Sequence, residues 1–289
     1  MGIVDALTTI TQLPSLLKLK KGLKPRPLEE KDCLGALVER NARLYGLSKA
    51  ISFEGRQVNW EEFNALSNQF AHTFKNQGLK AGDTASVFME NRIEFLVTVI
   101  ALNKLGITAA LINTNLSGKS LAHCISVTKS KKCIVGEEKS ESLSEIKDQL
   151  DLKDGEDFLF VKDLEESNSP TWAIDLSDIA ESQENTNPAD TKERVLGDTA
   201  FYIFTSGTTG LPKAAIMSNR RFMSTSAIAA IAGLKCTEED TLYLCLPLYH
   251  TTGLLIGAGS AIRSGAGMFI RRKFSASTFI EEIRENNCT

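Results

Sequence analysis

From residue 48 onward the chain alternates two hydrophobic rhythms. Short continuous or alternating apolar runs read as strands, and longer stretches with apolar residues three or four apart read as helices. Ala50 to Phe53, a turn at Gly55 and Val58 predict a hairpin. Asn59 is placed to cap a helix over 60–77, with Phe63, Leu66, Phe70 and Phe74 on one face and Gly78 and Gly82 closing it. Next come a strand at 84–88, a helix capped by Asn91 and running to Leu105, a buried strand at 108–112, a helix at 116–129 and a strand at 132–135. After a polar stretch, strands are expected at 198–205, 214–218, 242–246 and 267–270. Helices are expected at 223–232 and from a Ser275 cap to Asn286. This rhythm predicts an α/β fold of mostly parallel sheets with helices on both faces.

The implied boundaries are an N-terminal arm and entry helix at 1–47, a first α/β subdomain at 48–163, an acidic connecting loop at 164–194 and a second α/β subdomain at 195–289. The 289 residues are 42% hydrophobic and 24% charged, which excludes a wholly disordered or collagen-like chain. The net charge of −3 hides an uneven distribution. Residues 1–27 carry five basic side chains against Asp5, and residues 137–193 carry 18 acids against five lysines. No broad basic surface is implied, so nucleic acid is not an expected partner. Six cysteines without a C-x-x-C pair, and three scattered histidines, give a zinc site no support and point to a reducing, cytoplasmic compartment.

No run approaches the roughly 18 apolar residues of a membrane span. The first residues lack the basic start and continuous apolar core of a secretory signal. Ile3, Leu7, Ile10, Leu13, Leu17 and Leu19 are spaced much as one helical face would be, ahead of a basic stretch, with Pro14 interrupting. Peripheral membrane contact through 1–26 and a helix packed on the protein's own surface both fit this pattern.

The densest chemistry lies in Tyr202-Ile-Phe-Thr-Ser-Gly-Thr-Thr-Gly-Leu-Pro-Lys213. An apolar strand enters a loop with Gly207 and Gly210, the hydroxyls of Thr205, Ser206, Thr208 and Thr209, and a terminal Lys213. Glycines let backbone N–H groups approach an anion and form a concave nest for phosphate, and lysine adds a point charge. Leu211-Pro212 between Gly210 and Lys213 excludes a Walker loop. A polar hairpin turn is the reading that needs no ligand.

This run resembles the phosphate-binding signature of the adenylate-forming superfamily: acyl-CoA synthetases, luciferases and peptide-synthetase adenylation domains. A second stretch, Leu244-Cys-Leu-Pro-Leu-Tyr-His-Thr-Thr-Gly253, is similar to the family segment bordering the acyl carboxylate and the adenylate. A third, Ala109 to Cys124, has Asn113-Thr-Asn115 and then Leu121-x-His123-Cys124, which resembles the fatty-acid-transport-protein branch of very-long-chain acyl-CoA synthetases. The resemblance runs from about residue 30 to the end.

It implies an incomplete acyl-CoA synthetase N-terminal domain and a two-step ligation. A long-chain fatty acid carboxylate attacks the α-phosphate of ATP, accompanied by Mg2+, and releases pyrophosphate; coenzyme A then displaces AMP. On matching positions it implies nucleotide contacts from Tyr202, Thr205, Ser206, Gly207, Thr208, Thr209, Gly210 and Lys213. The same match implies acyl-side contacts from Tyr249, His250, Thr251, Thr252 and Gly253, a catalytic set of Thr205, Lys213 and His250, and metal contact through Thr205. His250 would orient the acyl-adenylate junction, because a carboxylate nucleophile needs no deprotonation. His123 reads as a packing or capping residue. The stretch 254–262 reads equally as an acyl-tunnel lining or as glycine-mediated helix packing.

Complete members of the superfamily also carry Tyr-Gly-x-Thr-Glu and Thr-Gly-Asp segments and a small C-terminal domain. These segments do not occur in the 289 residues. The expectation is therefore an N-terminal portion that turns nothing over by itself, a view favoured by an ending in mid-sheet. A natural short lipid or nucleotide binder is the alternative from another class. Within enzymes, an aromatic or amino-acid adenylating relative is the alternative.

Overall fold

The computed structural model describes residues 26–163, 167–205 and 210–289. Cys33 caps α1 (Leu34–Tyr45), its Sγ accepting from the Ala36 N–H at 3.3 Å. β1 (Lys49–Phe53) and β2 (Arg56–Asn59) form the expected hairpin, turning on Glu54 and Gly55 at φ 45° and 84°. Such a left-handed pair matches the twist of a two-residue connection. Asn59 then closes a reciprocal capping box on α2 (Trp60–Asn76): it accepts from the Glu62 N–H at 2.8 Å, and Glu62 accepts from the Asn59 N–H at 2.9 Å.

β3 (Thr84–Phe88) leads into α3 (Ile93–Leu105), which is buried along almost its whole length and stops at a left-handed Gly106. β4 (Thr108–Leu111), α4 (Gly118–Val127), β5 (Lys132–Gly136) and α5 (Ser140–Ser144) continue the alternation. β6 (Phe158–Val161), β7 (Ile174–Asp175) and α6 (Leu176–Glu181) come next, then the pair β8 (Thr199–Thr205) and β9 (Lys213–Ser218). α7 (Asn219–Ile228) runs on as a π-helical stretch, Ala229–Leu234, before β10 (Thr241–Leu244). A second π-helical stretch, Thr252–Ala258, becomes α8 (Gly259–Ser264), succeeded by β11 (Gly267–Ile270) and α9 (Phe279–Glu285).

Two sheets result. Seven strands run in the order β7-β6-β5-β3-β4-β8-β9, all neighbours parallel except β8 with β9. Four strands run β10-β11-β1-β2, parallel except for the β1–β2 hairpin. Neither sheet is contained within 48–163 or 195–289, since each draws strands from both stretches. One apolar cluster fuses α1, α2, α3 and α8 to residues of both sheets, including Ile51, Met268, Val87 and Phe201. The other face of the larger sheet, through Phe88, Cys133, Val135, Phe158 and Phe160, packs with Leu121, Cys124, Ile125 and Leu143 of α4 and α5. Helices thus cover both faces of the larger sheet, as the near-continuous apolar strands require.

The acidic stretch is docked rather than loose where it is described. Within 167–194 the chain forms β7 and α6, which sequence pattern did not assign. The polar face of α2 then holds residues 185–190. Asn68 Nδ2 donates to the Asn185 carbonyl at 2.7 Å, the His72 ring meets the Thr186 carbonyl at 2.9 Å, and Lys75 pairs with Asp190 at 2.8 Å. Two buried cations complete the framework. Lys104 Nζ reaches Glu39, Asn64 and Asn68 at 3.1, 2.7 and 2.6 Å, and burial pushes its pKa down against the pull of Glu39. Arg92 is fully buried, donating to the Val161 carbonyl at 2.8 Å beside Asp163 and Glu138. Each buried charge is matched by acids and carbonyls, as burial demands.

Two capping expectations are corrected. Arg92 is the N-cap of α3 and makes no side-chain cap bond, while Asn91 bonds elsewhere. The last helix begins after Thr278, and Ser275 bonds to Ser277 instead. No helix among the described residues is long and apolar enough to cross a membrane. Residues 1–25, with the amphipathic pattern, lie outside the described residues.

Candidate functional site

Carboxyl ends of parallel strands are where open α/β sheets bind ligands, because loops fan out there and helix N-termini face the crevice. β8 delivers Thr205 to that edge, beside β4 in the register Leu111 with Ile203. The chain then turns back, pairing Thr205 with Lys213 across the β8–β9 hairpin. Both are exposed, and Gly210 in the return has φ 103°, a conformation that favours glycine. Ser206, Gly207, Thr208 and Thr209 lie outside the described residues. Tyr202 is half-buried on the face below α4. It lines a groove of about 560 Å³ with His123, Leu211, Pro212 and Lys213.

The stretch from Asn115 into α4 touches both other motifs. His123 Nε2 sits 3.1 Å from the Pro212 carbonyl, and since a carbonyl only accepts, that nitrogen carries the proton. Asn115 Nδ2 donates to the Tyr249 hydroxyl at 3.4 Å. Burial raises the Tyr249 pKa, while bonds from Asn115 and Thr114 pull the other way. His123 is therefore a tether of the loop exit, in keeping with a packing role rather than a ligand role.

The second wall is the chain after β10. His250 is exposed; its N–H donates to the Pro247 carbonyl at 3.1 Å, and its Nδ1 accepts from the Thr252 N–H at 3.4 Å. With Nδ1 accepting, the ring's remaining donor position is Nε2. Thr251 is half-buried and Thr252 exposed. Gly253 is buried so tightly that a Cβ would stand 2.2 Å from the Pro247 oxygen. Asn91, beyond the end of β3, bonds to Leu246, Leu248 and Arg271 of this side. Sequence reasoning missed it because an asparagine just before a helix reads as a cap.

Behind this wall lies an apolar cavity of about 480 Å³. Leu244, Leu246, Gly253, Ile256, Phe279 and Ile283 line it, with Cys245 and Cys288. The two readings of 254–262 divide by residue. Ile256 and Gly257 line the cavity, whereas Gly259 serves close packing, its absent Cβ 3.0 Å from Ser226 and 3.3 Å from Phe222. Larger cavities lie elsewhere, one of about 650 Å³ at the opposite end of β5, lined by Lys129, Lys131 and Asp157. It touches none of the three motifs.

Among the described residues no group of three or more His, Cys, Asp or Glu could hold a metal ion. Thr205 offers a single hydroxyl, so these residues alone do not make a magnesium site. What the arrangement can do is present a cation and the Thr205 hydroxyl on one side and, on the other, an imidazole two residues before Thr252, which with Gly253 lines an apolar cavity.

The chain belongs to the family of AMP-binding enzymes, whose family model matches residues 38–289. Among the proteins it is similar to are some named as fatty-acid–CoA ligases and as long-chain fatty acid transport proteins. It is 32% identical over 268 residues to medium/long-chain-fatty-acid–CoA ligase FadD6 of Mycobacterium tuberculosis, covering 93% of this chain and 42% of that protein. It is 36% identical over 230 residues to long-chain fatty acid transport protein 1 of Mus musculus, covering 79% of this chain and 35% of that one. The chain thus spans about four tenths of the length of these relatives. In fold it is similar to the N-terminal domain of FACL13 from Mycobacterium tuberculosis, with TM-score 0.76, 22% identity, and coverage of 89% of this chain and 61% of that one. The anthranilate CoA ligase AuaEII, solved with anthranoyl-AMP, gives TM-score 0.78 at 20% identity, covering 90% of this chain and 49% of that one.

Proposed function

We propose that this chain supplies two walls of the active site of a long- or very-long-chain fatty acyl-CoA synthetase. The complete enzyme converts a fatty acid and ATP to acyl-adenylate and then to acyl-CoA. The observation that carries the reading is the meeting of three distant segments at one sheet edge: His123 with Pro212, and Asn115 with Tyr249.

The physical division of labour comes from the geometry. Expelling pyrophosphate requires positive groups and N–H donors at phosphate oxygens; Lys213, paired with Thr205 across the hairpin, supplies the positive charge, and the glycine- and hydroxyl-rich sequence between them would supply the donors. The carboxylate end of the acid is oriented by the exposed His250, whose Nδ1 is occupied by the Thr252 N–H and whose Nε2 remains to donate. Its hydrocarbon enters the apolar cavity lined by Leu244, Leu246 and Ile256, where burial of each CH₂ contributes roughly 0.8 kcal/mol. A long chain is therefore favoured over a short acid. Magnesium accompanies ATP, and Thr205 would contribute one hydroxyl contact to it. Lacking the Tyr-Gly-x-Thr-Glu and Thr-Gly-Asp segments, the 289 residues bind without turnover.

Equilibrium dialysis with radiolabelled palmitate, and separately with ATP, tests this. Saturable palmitate binding that His250→Ala weakens, and ATP binding that Lys213→Ala weakens, support the reading. Binding of neither ligand, or acyl-CoA formation by the 289 residues alone, contradicts it. Peripheral membrane contact through 1–26 is a separate proposal, tested by vesicle co-sedimentation with and without those residues; equal binding removes it.

A further inference from the structure

We infer that Asn91 is a positioning residue for the acyl-side wall, an inference that rests on the function proposed above. Its amide holds the Pro247 peptide from both flanks and so sets where His250 and Gly253 stand.

Asn91 is 4% exposed. Its Nδ2 donates to the Leu246 carbonyl at 2.9 Å and to the Arg271 carbonyl at 3.1 Å, and its Oδ1 accepts from the Leu248 N–H at 2.8 Å. Two carbonyls on one atom and an N–H on the other fix which end is nitrogen, since carbonyls only accept. Among side chains of this length only a carboxamide offers two donors and an acceptor at one planar centre. α3, just beyond it, has Arg92 at its N-cap and no side-chain cap bond, so the Asn91 amide takes no part in the helix terminus.

The partners explain the direction. Leu246 and Arg271 come directly after β10 and β11 of the four-stranded sheet, while Asn91 comes after β3 of the seven-stranded one. One side chain thus joins the carboxyl edges of both sheets. Leu246 and Leu248 flank Pro247, whose carbonyl accepts the His250 N–H and against which Gly253 is packed without room for a Cβ. Displacing the Pro247 peptide must carry the imidazole and the 250–253 turn with it. Among the described residues, the bonds of Asn91 run to this wall and not to the 205–213 hairpin, so its effect belongs to the acid and not to the nucleotide.

The test compares Asn91→Ala and the isosteric Asn91→Asp, which sets a carboxylate oxygen against two carbonyls, with wild type. Hydrogen–deuterium exchange, thermal unfolding, and binding of palmitate and ATP are read on each. The inference expects palmitate affinity to fall about tenfold, the scale of one or two lost hydrogen bonds, with ATP affinity within about twofold. Amide exchange should accelerate at Leu248 through Gly253 and stay unchanged in β4 and β8. Gly253→Ala, which pushes the same peptide from the far side, should give the same local pattern. Equal loss of both ligands, exchange rising alike in β4 and β8, unchanged protection of 248–253, or failure of both Asn91 variants to fold overturns it. If wild type binds neither ligand, the function proposal fails by itself, and the exchange pattern alone decides whether Asn91 positions the wall.

Discussion

The two walls of the candidate site are built on opposite principles. The phosphate wall is a hairpin at the edge of the larger sheet, with Thr205 and Lys213 exposed and His123 as a tether at its exit. The acyl wall is fixed from within, by a buried Asn91 reaching across 155 residues and by a glycine packed on a proline carbonyl. The difference matches what each is proposed to bind. Phosphate oxygens are met by backbone N–H groups and by exposed cations that can close around them. An orienting imidazole must already be in place, because a misplaced group loses much of its effect.

Breaking the rigid wall should cost most. Gly253→Ala is expected to destabilise the fold by about 2–3 kcal/mol, since a Cβ meets buried backbone that cannot yield cheaply. Urea denaturation would measure it, and a variant as stable as wild type would mean that the Pro247 turn relaxes freely. On the open wall, Lys213→Ala should leave stability within about 0.5 kcal/mol, as exposed positions usually do. Its ATP affinity should nevertheless drop about tenfold, the scale of a lost charge-assisted bond. Calorimetric titration separates the two. His123→Ala should lie between these, costing about 1 kcal/mol or less in stability and weakening ATP binding more than palmitate binding.

The smallest expected effect concerns pH. Burial, with the bond to Glu282 at 2.6 Å adding to it, pushes the Tyr243 phenol up to about 12 from its ordinary value near 10. The folded state holds this proton more tightly than the unfolded chain. The associated stability is therefore fully present below pH 10 and is lost as pH rises toward 12. Tyr243→Phe should flatten the alkaline limb of a stability–pH curve, and an unchanged limb would assign it to other groups.

The contrast between the walls also explains what sequence could disclose. The Asn59 cap, the turn at Gly55 and the strand running into Thr205 are local, written in neighbouring residues, and each appeared where pattern placed it. Asn91 was misread for the same reason: its position just before a helix is a cap signal, while its true partners lie 155 to 180 residues away. Strand order was equally out of reach. Nothing local to β1 announces that it will lie beside β11, or that β8 will join β4 across the acidic stretch. The docking of that stretch depends on amides and charges of α2 that, in sequence, look like a plainly solvated face.

The central claim is that the cavity behind His250 takes the acyl chain. Cys245 and Cys288 line that cavity, whereas Cys236, also half-buried, does not. Burial raises the pKa of all three thiols, so each alkylates slowly enough to follow by mass spectrometry. The account predicts that palmitate slows alkylation of Cys245 and Cys288 at least several-fold, that acetate does not, and that Cys236 is unaffected. Unchanged rates at Cys245 and Cys288 under saturating palmitate, or equal slowing at all three thiols, would contradict it.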